Sequence, residues 1–378
     1  MATIPTRQIQ LLCSKTCFYL LMLVLPPTGF AVQMHAQPSK ALQQLCDKVV
    51  QNYVKPNDIS YGIAIGIIDG TYVYQYYYGK ISGRLPQPPD SSTLFLLGSV
   101  SKVITTSVMA VMDNEKQISV NDTITRYLPD SVAANPYLSS VTLKKLATHT
   151  ALLPKTPYNL PATLIQPEDT YGNYQLTDLY RFLLHYRPTS AVFKKKNSKQ
   201  FVYSHTGIGL LAHLLENASG KPFDSLIVQK LGAICGGLPN TAARLTLAQQ
   251  NRLAPGHRFT GTEIPEVSFA SMYGSEGLYA NLPDMLRFTN ACMRLKIFEP
   301  ALEPRFNTQM PDVKVGWGWY VIMDGKRQPA IYTHSGKTAG YSNYIAFEKE
   351  RQVAVVVLSN SDNRIDKIGI DLLDLLLR

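Results

Sequence analysis

The sequence predicts an α+β domain in which an antiparallel sheet, assembled from the two ends of the chain and flanked by terminal helices, carries an inserted helical subdomain. Three observations predict it. A hairpin pattern lies near the amino end, helical periodicity fills the middle, and strand character returns before a closing amphipathic helix. The chain has 378 residues, 45% hydrophobic, 10% aromatic and 17% charged, which is too aromatic and too sparsely charged for disorder. A chain of this length buries a sizeable core without disulfide staples.

In order along the chain, residues 1–36 read as a secretory signal peptide. Arg7 and Lys15 are their only charges, Cys17 to Leu25 is an unbroken apolar and aromatic run, and Pro26, Pro27 and Gly29 end it before Ala31 and Ala36. An uncleaved anchor is the alternative, but the run is too short to span a bilayer. The main domain, 37–378, begins with Leu42, Leu45, Val49 and Val50 at helical spacing over Leu42–Val54. Next, Tyr61 to Gly70 and Thr71 to Tyr78 flank an Asp69-Gly70 turn and read as a hairpin, with Tyr72, Tyr74, Tyr76 and Tyr78 along one face. Helical stretches follow at Val103–Met112, Leu179–His185, Gly207–Leu215 and Pro283–Met293. Strands are expected at Val315–Met323, Tyr341–Phe347 and Gln352–Leu358, then a helix over Ile365–Leu377. The sheet part thus falls at about 37–95 and 305–378, and the helical part at about 99–300.

Charge and cysteines exclude several classes. The formal balance is +10, but the basic residues are scattered apart from Lys194, Lys195, Lys196 and Lys199. Without interleaved aromatics or a helix-turn-helix pattern, that run reads as a solvated loop, and no nucleic-acid partner is expected. Cys13 and Cys17 fall in the leader, and Cys46, Cys235 and Cys292 remain, an odd set at wide spacing that suits neither a disulfide framework nor a metal site. Cys13 follows Gln10-Leu11-Leu12, where a lipoprotein anchor would want a small residue before the cysteine, so a soluble exported form without a membrane span is expected. No H-E-x-x-H and no G-x-S-x-G occurs, against a metallohydrolase and an α/β-hydrolase elbow.

The chemistry concentrates in Phe95-Leu-Leu-Gly-Ser-Val-Ser-Lys102. On a helix, Ser99 and Lys102 share a face one turn apart. A serine hydroxyl needs a base to become a nucleophile, and a lysine whose charge burial disfavours can be that base. The helix start would also direct N–H groups toward charge developing on a carbonyl. S-x-x-K alone is weak evidence, being far more often the mark of a helix cap.

The stretch from Gly98 through Ser107, with Asp113 to Pro129, resembles the first motif of class C β-lactamases and their penicillin-recognising relatives. The resemblance continues at Leu146–Pro154, Tyr203–Gly207, Asn217–Pro222, Gly274–Tyr279 and His334–Tyr341, in the family's order. It implies that Ser99 is the acylated nucleophile, Lys102 the adjacent base or proton relay, and Tyr203 the phenol that shuttles a proton to the leaving nitrogen. At the second motif this chain has His205 where the family has an asparagine, and a histidine lacks the paired donor and acceptor of a carboxamide. A histidine turned away from the substrate is the alternative. The third motif, which in the family is Lys-Thr-Gly on an edge strand beside the serine, aligns here with His334-Ser335-Gly336. There Ser335 would bind a carboxylate or carbonyl, Gly336 would permit close approach, and the Lys337 N–H would join that of Ser99 as an oxyanion donor. A shifted alignment on Lys337-Thr338-Ala339 is conceivable, but puts an alanine at the close approach. His149 and His213 read as packing residues.

The resemblance therefore implies a β-lactamase/transpeptidase-like fold and an exported, periplasmic, monomeric serine hydrolase that needs no cofactor or metal. It would act through a Ser99 acyl-enzyme on β-lactams or D-alanyl cell-wall peptides. An esterase or amidase of the same fold, and a non-catalytic penicillin- or cell-wall-binding protein, are the alternatives.

Overall fold

A computed structural model describes residues 35–36, 39–54, 61–160, 171–188, 200–323 and 329–378. The leader up to residue 34 and the lysine run at 194–199 lie outside the described residues. Eleven strands are numbered in chain order: β1 (His35–Ala36), β2 (Gly62–Asp69), β3 (Tyr72–Gly79), β4 (Phe95–Leu96), β5 (Tyr279–Ala280), β6 (Phe306–Asn307), β7 (Val313–Val315), β8 (Tyr320–Ile322), β9 (Ile331–Thr338), β10 (Tyr341–Glu348) and β11 (Val353–Ser359). Helices of ten residues or more are α1 (Lys40–Tyr53), α2 (Ser101–Asn114), α3 (Leu176–His185), α4 (His205–Ser219), α5 (Leu282–Arg294) and α6 (Asp366–Leu376).

The main sheet runs β1-β3-β2-β11-β10-β9-β8-β7-β6, and β4 pairs separately with β5. The two chain ends meet at β2 and β11, where Val353 lies opposite Asp69 and Ser359 opposite Ile63. All the pairings are antiparallel except the two-residue β1, which adds in parallel to β3. Two expectations need correction. The strand expected over Val315–Met323 is two, because Gly316-Trp317-Gly318 turns the chain between β7 and β8, with Gly318 at φ 73°. The eight-residue strand β9 has no counterpart in the apolar patterning, since its second half is His-Ser-Gly-Lys-Thr.

Side chains alternate across the central strands, and both faces are buried. Ile63, Ile65 and Ile67 with Val353, Val355 and Val357 and Tyr76 pack against Cys46 and Val50 of α1 and Ile368 and Leu372 of α6. Ala64, Ile68, Ile345, Phe347, Val356 and Leu358 face the helical layer of α2, α4 and α5. A one-residue slip would exchange these sets, and each buried Val or Ile is worth about 1.5–3 kcal/mol, so the register is strongly specified. Ser39 caps α1 by accepting the Leu42 N–H at 3.3 Å, and Tyr53 donates to Asp371 of α6 at 2.5 Å, which ties the outer helices together.

The central helix α2 is buried on every side from Ser101 to Met112, so its polar groups must find partners. Thr105 donates to the Gly274 carbonyl at 2.6 Å, Thr106 to that of Trp317 at 2.8 Å, and Ser101 Oγ accepts the Leu278 N–H at 3.1 Å. These bonds fix the 273–278 segment and the β7–β8 turn against α2. Among the described residues no helix is long and apolar enough to cross a membrane.

Candidate active site

Ser99 sits on a short 3-10 turn, Gly98–Val100, that runs into α2. The α-helix proper starts at Ser101, but the turn already points Ser99 along the face of Lys102. Lys102 is fully buried, and its Nζ donates to Ser99 Oγ at 2.9 Å and to the Ser275 carbonyl at 2.8 Å. Burial drives the lysine down from 10.5 to about 8, against the opposing pull of the Glu276 carboxylate. About a tenth of the amine is therefore neutral at pH 7, and that fraction can accept a proton.

Tyr203 comes from the segment before α4. That segment is pinned by His149: the Val202 N–H donates to the His149 carbonyl at 2.8 Å, and the Ser204 N–H to His149 Nδ1 at 3.1 Å. Ser204 then caps α4 by accepting the Gly207 N–H at 2.9 Å. The Tyr203 ring centroid lies 5.0 Å from Lys102 Nζ and 4.8 Å from the His149 ring. Burial raises the Tyr203 phenol, the Ser99 hydroxyl lowers it, and the Glu276 charge raises it, with a net rise. The resting residue is thus a neutral phenol and a proton donor. His149 is a packing residue that orients Tyr203, while His213 is satisfied on both ring nitrogens, by Glu216 and the Ser271 carbonyl.

Strand β9 forms the opposite wall. Among the described residues it has no strand partner on the β8 side beyond Thr333, because β8 begins at Tyr320, opposite Thr333, and this stretch lies against the Ser99 turn. A Cβ on Gly336 would stand 2.1 Å from the Leu97 carbonyl oxygen, and one on Gly98 would stand 3.1 Å from Lys337 N. The close approach thus falls on Gly336 and brings the Lys337 N–H beside the turn. The side chains of Ser335 and Lys337 face solvent, whereas His334 is buried with Nδ1 2.7 Å from the Ser335 carbonyl oxygen. Burial, then the Lys102 charge, pushes the His334 imidazole down to about 3, so it is neutral at physiological pH.

Glu276, to which the sequence reasoning gave no role, completes the cluster. It is 7% exposed, on the short helix Tyr273–Glu276, with Oε1 3.3 Å from Ser99 Oγ and Oε2 2.7 Å from His205 Nδ1. Burial works to raise this carboxyl, but His205, Lys102 and the Ser99 hydroxyl outweigh it and hold it below its ordinary value. Burial and the Lys102 charge lower His205 despite the carboxylate. The signal for Glu276 was an acidic residue within the Gly274-Ser-Glu-Gly277 segment. The structure thus brings Ser99, Lys102 and Tyr203 together, with His205 and His334 around them. Among the described residues no cluster of His, Cys, Asp or Glu could hold a metal ion.

A family model described as Beta-lactamase matches residues 47–377. A β-lactamase of Pseudomonas fluorescens is 22% identical over 356 residues, covering 85% of this chain and 94% of its own. The D-alanyl-D-alanine-carboxypeptidase/endopeptidase AmpH of Escherichia coli is 24% identical over 319 residues, covering 79% of this chain and 80% of its own. A solved class C β-lactamase shares the fold with a TM-score of 0.75 at 19% identity, over 91% of this chain and 98% of its own.

Proposed function

The chain belongs to the β-lactamase family and is a serine hydrolase; from that premise we propose an exported, periplasmic enzyme that forms an acyl-enzyme at Ser99 with β-lactams or D-alanyl cell-wall peptides. The observation that carries this reading is the buried Lys102 amine held 2.9 Å from Ser99 Oγ, with a proton affinity brought down to about 8. In its neutral form Lys102 takes the serine proton as Oγ attacks the carbonyl carbon. The N–H groups of Ser99 and Lys337 meet the charge that develops on the carbonyl oxygen. Tyr203, a phenol at rest, donates to the departing nitrogen and recovers a proton from Lys102. The apolar leader ahead of residue 37 supports export, and the enzyme would work as a monomer without a nucleic-acid partner.

Intact-mass spectrometry after mixing with a penicillin tests this reading. The protein is expected to gain the mass of the opened lactam on the peptide carrying Ser99, and Ser99→Ala to gain nothing. Wild-type protein that stays unmodified by penicillins and D-alanyl depsipeptides alike would refute it.

One observation favours a second reading, an esterase or amidase of the same fold. His334 is neutral where β-lactamases keep a lysine, so the cluster lacks a cation there for a substrate carboxylate. Hydrolysis of short p-nitrophenyl esters without turnover of nitrocefin would select it.

A further inference from the structure

We propose that Glu276 is a catalytic residue of the hydrolytic half-reaction, the base that takes a proton from the water attacking the Ser99 ester, and that His205 is its positioning residue. The inference rests on the acyl-enzyme reading and assigns the step that reading leaves open.

Ser99 Oγ has a donor and an acceptor beside it. A lysine ammonium can only donate and a carboxylate can only accept. With Lys102 Nζ donating to Oγ at 2.9 Å, the serine proton points to Glu276 Oε1 at 3.3 Å. Acylation replaces that proton with the acyl carbon. Oε1 then loses its donor while remaining buried, and a buried acceptor without a partner is costly. A water that donates to Oε1 restores the bond, and its oxygen then lies within reach of the ester carbon, one covalent bond from Oγ. Lys102 already donates to Oγ and to the Ser275 carbonyl, whereas Glu276 Oε1 is the acceptor that acylation leaves without a donor.

The atoms balance. The water oxygen bonds to the acyl carbon as its proton passes to Oε1. The tetrahedral species then collapses, the carbon–Oγ bond breaks, and the proton on Oε1 moves to Oγ. A free carboxylic acid leaves, and the serine hydroxyl and the Glu276 carboxylate are as they began.

His205 acquires a role here that an asparagine would fill differently. Its Nδ1 stands 2.7 Å from Oε2, close enough to hold that oxygen while the other stays turned toward Ser99, although the ring nitrogen does not point along the contact as a hydrogen bond would. The short helix that carries Glu276 is in turn fixed: Thr105 holds the Gly274 carbonyl, and Tyr273 donates to Glu216 of α4 at 2.6 Å. Lys102, Tyr203 and Tyr171 are the other titratable groups that act on Glu276 or are acted on by it.

The test is pre-steady-state and intact-mass kinetics with nitrocefin and a penicillin on wild type, Glu276→Gln, Glu276→Asp and His205→Asn, each with a thermal melt. Removal of a general base costs about 10²–10⁴-fold in the step it serves. Glu276→Gln should lengthen the adduct lifetime by that factor while slowing acylation by less than about tenfold, so that kcat and KM fall together. Glu276→Asp should recover part of the loss, and His205→Asn should show a smaller loss confined to the same step. An unchanged adduct lifetime in Glu276→Gln, or equal losses in both steps, overturns the proposal. If Glu276→Gln does not fold, an unchanged lifetime in both other variants overturns it. Wild type that acylates but never hydrolyses its adduct overturns this inference alone, whereas wild type that never acylates overturns the proposed function with it.

Discussion

At the residue scale, the site is a contest between burial and charge around one amine. Lys102 is fully buried, so its protonated form is disfavoured, and Glu276 only partly restores it. Two consequences share this origin. The acylation rate should rise with pH and level off above about 8, because the proposed base is the neutral amine; stopped-flow acylation between pH 6 and 10 checks it. The folded amine lies below its unfolded value of 10.5, so the folded state binds fewer protons between the two values. The burial penalty is therefore full below about pH 8 and fades as the pH rises toward 10.5. Lys102→Met should then be inactive yet more stable than wild type at pH 7, by up to about 3 kcal/mol, with the difference shrinking at pH 10; denaturant unfolding at both pH values measures it. Ser99 and Lys102 were legible because helical spacing puts them on one face and the family resemblance around Gly98–Ser107 singled out that pair. Glu276 was not, since a lone acid beside glycines looks like a turn until folding carries it across 177 positions to Ser99.

At the element scale, the site is a seam where β9 presses on the 3-10 turn ahead of α2. The fit leaves no room for a side chain, as a Cβ on Gly336 would stand 2.1 Å from the Leu97 carbonyl oxygen. Backbone on both sides cannot yield cheaply, so Gly336→Ala should push β9 off the turn and move the Lys337 N–H away from Ser99. Acylation is expected to fall by about 10²-fold, the loss typical of one oxyanion donor, with about 1–3 kcal/mol of stability lost to overpacking. Rapid-quench acylation and a thermal melt read the two effects, and full activity would contradict the seam. Strands buried on both faces, such as β2 and β11, announce themselves as runs of Ile and Val. Strand β9 does not, because its second half, His334 to Thr338, carries no apolar run. Only the order of the family's motifs placed a strand there.

At the scale of the whole molecule, the sheet built from the chain ends and the inserted helices share one core, on the face of the sheet opposite α1 and α6. The chain has two tryptophans, and both stand at the junction. The Trp317 carbonyl accepts from Thr106 of α2, and its N–H donates to the Ala301 carbonyl at 2.8 Å. The Trp319 ring stacks on Phe288 of α5 at 6.4 Å and meets Phe347 of β10 edge-on at 5.2 Å. That both chain ends feed one sheet was visible from where the strand patterns fell. The neighbour order β2-β11-β10-β9 was not, since apolar runs carry no label for their partner. Because the seam that holds Ser99 is also the layer contact, the helical layer cannot loosen without dismantling the site. Tryptophan fluorescence and Ser99 acylation should therefore disappear at one denaturant midpoint. Trp319→Ala, which empties a fully buried site worth about 3–5 kcal/mol, should move both midpoints down together. Acylation lost at a lower denaturant concentration than the fluorescence change would mean that the two layers come apart before the core does.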